Sequence, residues 1–301
     1  MALNVNFPEK ISKFEAAMQR RFLVKRILYK KMFMGKGFEF EKYRGYTFSD
    51  DASRIDWKAS MRSGESLLVK DFTGEERLKV FLVVDVGENM LFGSGDKIKS
   101  EYAAEIAASI AHIVLASGDL VGYALFSERV QALRDLKEGM EQFSAFTASL
   151  SNVKLYGGKS NLKETLKFLL GYLRKDIASV FIISDFIKLD DSSLKILRQF
   201  AIKFETVGIM VRDPVDLRLP NLSREVVVED PYTGRQLIIK PSLVAGEYEK
   251  YTLEQKKVVE SIFKKTGSDL LELDTSQDFV EGLSSFLKAR IKRKRYTLNL
   301  E

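Results

Sequence analysis

Four side chains of this sequence have the types and spacing to meet at one polar site: Asp85, Asn89, Ser160 and Asp185. Asp85 ends an unbroken apolar run, Val80-Phe-Leu-Val-Val-Asp85, and Asn89 follows it in the next loop. Asp185 ends a second run, Val180-Phe-Ile-Ile-Ser-Asp185, and Ser160 follows the glycine-rich turn Tyr156-Gly-Gly-Lys. Carboxylate, amide and hydroxyl oxygens suit a hard cation such as Mg²⁺, which takes few protein ligands and keeps several waters. Structural roles stand beside that reading: Asp85 and Asp185 as loop caps, and Ser160 or Asn161 as the cap of the following helix.

Other chemistries are narrowed by composition. The 301 residues contain no cysteine, which removes disulfides, thiol catalysis and thiolate zinc sites. His112 is the single histidine and falls in an alanine-rich helical stretch, so it reads as a packing or helix-surface residue, and imidazole triads and multi-histidine metal sites lose most of their basis. No Gly-x-x-x-x-Gly-Lys-Ser/Thr loop is present. The net charge of +6 gathers near the ends, at Arg20 to Lys31 and at Lys288 to Arg295, without interleaved aromatic residues for base stacking, so solvated faces rank above nucleic-acid contact. There is no signal-like start and no apolar window long enough to span a membrane; a cytoplasmic protein is expected.

The elements that must position these residues alternate. The pattern predicts a helix over 9–33, then strand 78–85, helix 96–117, strand 119–126, short strand 129–134, helices 138–150 and 160–174, and strand 178–184. It continues with helix 191–204, strand 205–211, a hairpin about Pro231 to Gly234, helix 243–266, strand 269–273 and helix 276–292. Apolar runs of strand length read as strands buried on both faces, and alternating strands and helices imply a doubly wound, mostly parallel α/β sheet. Ligands of such sheets bind past the carboxyl ends of the strands, where Asp85 and Asp185 fall. Caps are expected at Ser94-Gly-Asp96, at Asp190 and at Thr275 to Asp278. The chain divides into an N-terminal part, 1–76, and an α/β domain, 77–301, with an excursion at about 212–241 in which Asp213-Pro214 and Leu219-Pro220 bound an irregular segment.

The arrangement resembles a von Willebrand factor A domain, whose metal-ion-dependent adhesion site carries Asp-x-Ser-x-Ser after the first strand, Thr in a second loop and Asp in a third. The resemblance assigns Asp85, Gly87 and Asn89 to the first element, Ser160 to the second and Asp185 to the third. Asn89 and Ser160 keep an oxygen, whereas Gly87 deletes a ligand, so a weakened Mg²⁺ site and a metal-free remnant are both implied.

A second block resembles the "domain of unknown function 58" family: Phe38-Glu39, then Tyr43-Arg44-Gly-Tyr46, then Asp50-Asp51-Ala-Ser-Arg54-Ile-Asp56-Trp57, then Arg62. Ser49 and Ala52 replace the family's usual Gly and Pro. Physically, Arg44, Arg54 and Arg62 with Asp50, Asp51 and Asp56 around Trp57 make a structural clamp first and a partner-binding surface second. The resemblance implies a non-enzymatic interaction module, an adaptor or co-chaperone delivering client proteins to a MoxR-type AAA+ ATPase. Membrane-associated partners are compatible with it. The alternatives are a Mg²⁺-dependent phosphate-handling enzyme using Gly157, Gly158 and the helix near Asn161, and nucleic-acid binding through the tail at Lys288 to Arg295.

Overall fold

A computed structural model describes residues 3–19, 33, 42–47, 55–63, 67–71, 77–187, 189–230 and 233–293. Helix α1 (Phe7–Gln19) is followed by strand β1 (Lys42–Gly45), helix α2 (Trp57–Ser63) and strand β2 (Leu68–Asp71). Then come β3 (Lys79–Asp85), α3 (Lys99–Ala116), β4 (Leu120–Phe126), β5 (Val130–Lys137), α4 (Gly139–Ser151), α5 (Leu162–Tyr172), β6 (Ser179–Ser184), α6 (Asp191–Lys203) and β7 (Thr206–Arg212). The excursion holds α7 (Pro214–Leu217) and the hairpin strands β8 (Val226–Glu229) and β9 (Gln236–Ile239), before α8 (Pro241–Thr266), β10 (Asp269–Asp274) and α9 (Phe279–Arg293).

Six strands form the central sheet in the order β10-β7-β6-β3-β4-β5. All pairs are parallel except β4 with β5. Along β3 the side chains alternate between two cores, as a period of two requires. Val80, Leu82 and Val84 join the core under α1, α3, α4 and α9, while Phe81 and Val83 join the one under α5, α6 and α8. Each such fully buried aliphatic or aromatic side chain is worth about 1.5–3 kcal/mol of transfer free energy. The sheet is therefore covered on both faces, the doubly wound α/β architecture expected from the apolar runs.

Helix α1 stops at Gln19, and residues 20–32 of the expected longer helix lie outside the described residues. Its Phe14 and Met18 enter the first core, and Phe33 packs on Phe181 at 5.8 Å between ring centroids. The start of the chain is thus built into the α/β layer. Glu101 and Glu105 of α3 reinforce this by accepting the backbone N–H groups of Asn4 (2.5 Å) and Asn6 (2.7 Å).

The expected caps at Asp190 and Asp278 are present: Asp190 Oδ1 accepts from Ser193 N at 3.0 Å and Asp278 Oδ1 from Val280 N at 3.0 Å. The cap expected at Ser94 to Asp96 is not, because α3 begins only at Lys99, where Glu101 Oε2 accepts from Ile98 N at 3.2 Å. Ser94 is used elsewhere, donating from N and Oγ to the Asp213 carboxylate. That buried carboxylate also accepts from Thr275 Oγ1 and caps α7 through Val215 N, which joins three loops at the carboxyl edge of the sheet.

Candidate functional site

Strands β3 and β6 are neighbours at the centre of the sheet, with Val84 opposite Ile183, so Asp85 and the Ser184-Asp185 pair emerge side by side. The loop carrying Ser160 is tied to them through backbone. Gly157 N donates to Val86 O at 2.8 Å, and Glu88 N donates to Gly158 O at 2.9 Å. Gly157 and Gly158 hold φ of +117° and +75°, conformations that favour glycine and explain the doublet. Ser160 then lands on Asp85, its Oγ donating to Oδ2 at 2.7 Å, while Asn161 caps α5 by accepting from Glu164 N at 3.2 Å. The two readings of the Ser160-Asn161 pair thus separate by residue.

Asp85 is buried and surrounded by neutral donors. Its Oδ2 accepts from Ser160 Oγ and Ser184 Oγ, each at 2.7 Å, with Asn89 Nδ2 at 3.5 Å, and its Oδ1 accepts from Gly87 N at 2.9 Å. Burial, with the negative Asp185 behind it, pushes the Asp85 carboxyl up to about 6 against those hydrogen bonds. Asp185 is equally buried but shifts the other way. Burial raises it, and the Lys99 ammonium, with Asn89 and Ile187 N–H as donors, outweighs burial and holds it below the ordinary range. The next residue, Phe186, has φ of +52°, the one non-glycine residue with positive φ among those described, and its ring packs on Phe263 at 5.2 Å between centroids. Backbone strain of this kind costs about 1–3 kcal/mol and clusters at functional loops.

Lys99 was not among the residues singled out from the sequence. Its Nζ lies 2.9 Å from Asp185 Oδ2 and 3.0 Å from Asp216 Oδ2, with a side chain only 2% exposed. Burial works to lower it, and the two carboxylates more than offset this, holding the lysine above its ordinary value. One signal was available. Lys99 opens α3, where the positive end of the helix dipole disfavours a cation, and a local conflict of this sort marks a tertiary demand.

The donor set does not fit a resident divalent cation. Gly87 supplies no oxygen, and a Cβ there would stand 2.6 Å from Asn89 Oδ1 and 3.0 Å from both Asp85 Oδ1 and Ser160 Cβ. The amide oxygen of Asn89 thus fills the space a side chain at 87 would need, while its nitrogen faces the carboxylates of Asp85 and Asp185. That oxygen has no hydrogen-bond partner among the described residues. Asp85 is engaged by four internal donors, and Asp185 already faces an ammonium. Among the described residues no cluster of three or more His, Cys, Asp or Glu has the spacing of a metal centre.

Two cavities open here. One, of about 210 Å³, is lined by Asn89, Ser160, Asn161, Asp185, Asp190 and Ser193. Its lining sets Lys163 beside the carboxylates of Asp185 and Asp190, and the N–H of Glu164 at the start of α5 is capped by Asn161. The other, of about 960 Å³, shares Asn89 and Ile187 with the first and runs as an apolar groove between Leu91, Phe92, Val228 and Tyr251, with Lys99 and Asp216 in its floor. The excursion expected to be irregular therefore supplies one wall of a groove.

Of the signature block, Asp50, Asp51 and Arg54 lie outside the described residues, and Arg44 sits on β1, paired antiparallel with Val69 of β2. Asp56 caps α2, its Oδ1 accepting from Lys58 N at 3.1 Å and Ala59 N at 3.0 Å, and Ser60 Oγ accepts from Leu68 N at 2.8 Å. Trp57 is 61% exposed and Arg62 is exposed too, so the clamp reading does not extend to these two side chains and the surface reading gains. The basic tail is partly spent on structure. Arg290 pairs with Asp269 and Glu205, and Lys288 Nζ donates to Ala17 O. His112 lies against Glu15 and Phe143, a packing position.

The model of the family described as "Protein of unknown function DUF58" matches residues 42–258. Uncharacterized proteins of Mycobacterium tuberculosis and Mycobacterium bovis are 25% identical over 260 residues, covering 85% of this chain and 80% of theirs. Among solved structures, the conserved hypothetical protein BatB from Bacteroides thetaiotaomicron is similar at TM-score 0.47 and 11% identity, covering 71% of this chain and 99% of that one. The SpRpn10 VWA domain is similar at TM-score 0.40 and 10% identity, covering 70% and 94%. The von Willebrand factor A-like fold itself rests on the sheet order and on the three loops that converge at Asp85.

Proposed function

Since the chain belongs to the DUF58 family, we propose that it is a non-enzymatic protein-interaction module, acting as an adaptor or co-chaperone that brings client proteins to a MoxR-type AAA+ ATPase. The observation that carries this reading is the groove at the carboxyl edge of the sheet. Leu91, Phe92, Ile187 and Tyr251 are 39%, 45%, 40% and 61% exposed around it, a grouping of apolar side chains that a monomer gains little by displaying. Aromatic residues in a groove with a polar rim are the usual anchors of an interface. A non-enzymatic role agrees with what lines the site: Ser160 and Ser184 both spend their hydroxyl protons on Asp85, and the single histidine is committed on another face of α3. The module works without a bound Mg²⁺: the Asp85 carboxylate is engaged by internal donors, Asp185 faces the Lys99 ammonium, and Gly87 brings no side-chain oxygen. Among the described residues no helix is long and apolar enough to cross a membrane.

Affinity capture from native lysate, with the whole chain as bait, tests it. Wild type is expected to enrich a MoxR-type ATPase equally with Mg²⁺ or chelator in the wash, and Phe92→Ala with Tyr251→Ala is expected to reduce that enrichment about tenfold or more, as loss of two interface anchors does. Failure of wild type to enrich any AAA+ ATPase overturns the adaptor reading. Enrichment indifferent to the double substitution moves the interface away from the groove.

A further inference from the structure

We infer that the Lys99 ammonium is the built-in cation of this site, doing between the Asp185 loop and the excursion what a bridging metal ion would do, and that it latches the groove wall to the strand-end loops. The inference rests on the geometry of the proposed interaction site, but its test needs no partner.

Three observations converge. First, Lys99 touches two carboxylates from different parts of the chain, Asp185 after β6 and Asp216 in α7. Asp216 is itself fixed, accepting from Asp213 N at 3.0 Å through the same Oδ2, and Asp213 is held by Ser94 and Thr275. The ammonium therefore connects the start of α3, the Asp185 loop and the excursion at one point, which is the office of a bridging ion. Second, a lysine side chain 2% exposed is placed against its own helix dipole, an arrangement that persists only when strong partners compensate. Third, the position most damaging to a metal site, Gly87, is matched by Asn89, whose amide oxygen occupies the space and whose amide nitrogen faces both carboxylates. Loss of the ligand at 87, the amide at 89 and the ammonium at 99 are mutually consistent: each replaces coordination by internal hydrogen bonding. A tethered cation cannot be chelated or diluted away, so the groove wall stays attached to the site whatever the metal concentration outside.

The test is titration of the isolated full chain with Mn²⁺ and Mg²⁺, read by calorimetry and by thermal unfolding. Wild type is expected to show no saturable site and no shift of melting temperature. Lys99→Met leaves Asp185 and Asp216 facing each other across an apolar side chain and is expected to be strongly destabilised, to gain one saturable Mn²⁺ site, and to regain melting temperature as the metal is added. Should that variant fail to fold alone, Lys99→Met with Asp216→Asn removes one stranded charge, and folding is scored with and without Mn²⁺. Saturable Mn²⁺ binding by wild type that Asp85→Asn abolishes would overturn the inference. So would a folded Lys99→Met that gains no metal affinity, or failure of both variants to fold even with Mn²⁺ present. None of these outcomes bears on whether the groove binds an ATPase, so the two proposals fail separately.

Discussion

The loops after β3 and β6 present the same residue at the same place, a buried aspartate at the carboxyl end of a central parallel strand, and the two carboxylates behave oppositely. Asp85 is held by two serine hydroxyls, a backbone N–H and an amide, all neutral, and its carboxyl is pushed up to about 6 by burial. Asp185 has one formal cation 2.9 Å away, and that contact, with hydrogen bonds from Asn89 and Ile187 N, reverses the direction. Hydrogen bonds from neutral donors make a buried carboxylate tolerable, whereas a charge partner makes it comfortable. Part of the difference between the loops is made outside both, since Lys99 is 86 positions from Asp185 along the chain.

The largest way to break the contrast is Asp185→Asn. It leaves Lys99 buried with Asp216 as its remaining carboxylate, and removing one member of a buried pair costs about 3–5 kcal/mol. Urea unfolding of wild type and variant checks this, and a loss below about 1 kcal/mol would mean that the pair is solvated in solution. The matching change on the other side, Asp85→Asn, has the opposite sign and depends on pH. A carboxyl whose folded pKa is raised binds more protons in the native than in the unfolded state between its unfolded value, near 3.8, and its folded one, about 6. Its contribution is therefore fully present below the lower value and is lost as pH rises through the upper one. The stability of Asp85→Asn relative to wild type is accordingly expected to increase from pH 4 to pH 7, by an amount on the order of 1–3 kcal/mol. A parallel pair of stability curves over that range would refute the asymmetry. A comparable effect belongs to the space between the loops. Gly87→Ser meets the Asn89 oxygen and is expected to cost about 1–3 kcal/mol of overpacking, most of it recovered in Gly87→Ser with Asn89→Ala. Additive losses in that cycle would show that the two positions are independent.

The same contrast separates what could be read in the residues from what could not. Asp85 and Asp185 were legible because a strand buried on both faces is an apolar run, and a carboxylate ending such a run has one place to go. Ser160 was legible through the glycine doublet before it. Strand and helix positions followed the periodicity closely, as at 79–85 and 179–184, while helix ends moved by a few residues wherever a cap was misjudged. Ser94 was assigned to α3 because the rule for caps is local, yet its hydroxyl goes to Asp213, 119 residues away. Lys99 escaped for the same reason: a lysine in a helix sequence reads as solvated, and its burial is created by the strand order that brings β6 and β7 under the start of α3. Trp57 went the other way. A lone tryptophan amid arginines and aspartates reads as buried or clamped, and it stands exposed beside an ordinary helix cap at Asp56.

The order of strands across the sheet carries a consequence for biosynthesis. Strand β3 is central and made early, yet the edge partner of β7 is β10, in register from Asp269 opposite Val207 to Asp274 opposite Arg212. Helix α9 then delivers Leu283 and Leu287 to the first core and sets Arg290 between Glu205 and Asp269. Until residues 269–293 have left the ribosome, one side of β7 is unpaired and the first core lacks a wall. A nascent chain of this topology thus displays a sticky intermediate throughout the translation of α8, and slowing synthesis there should raise its dependence on chaperones.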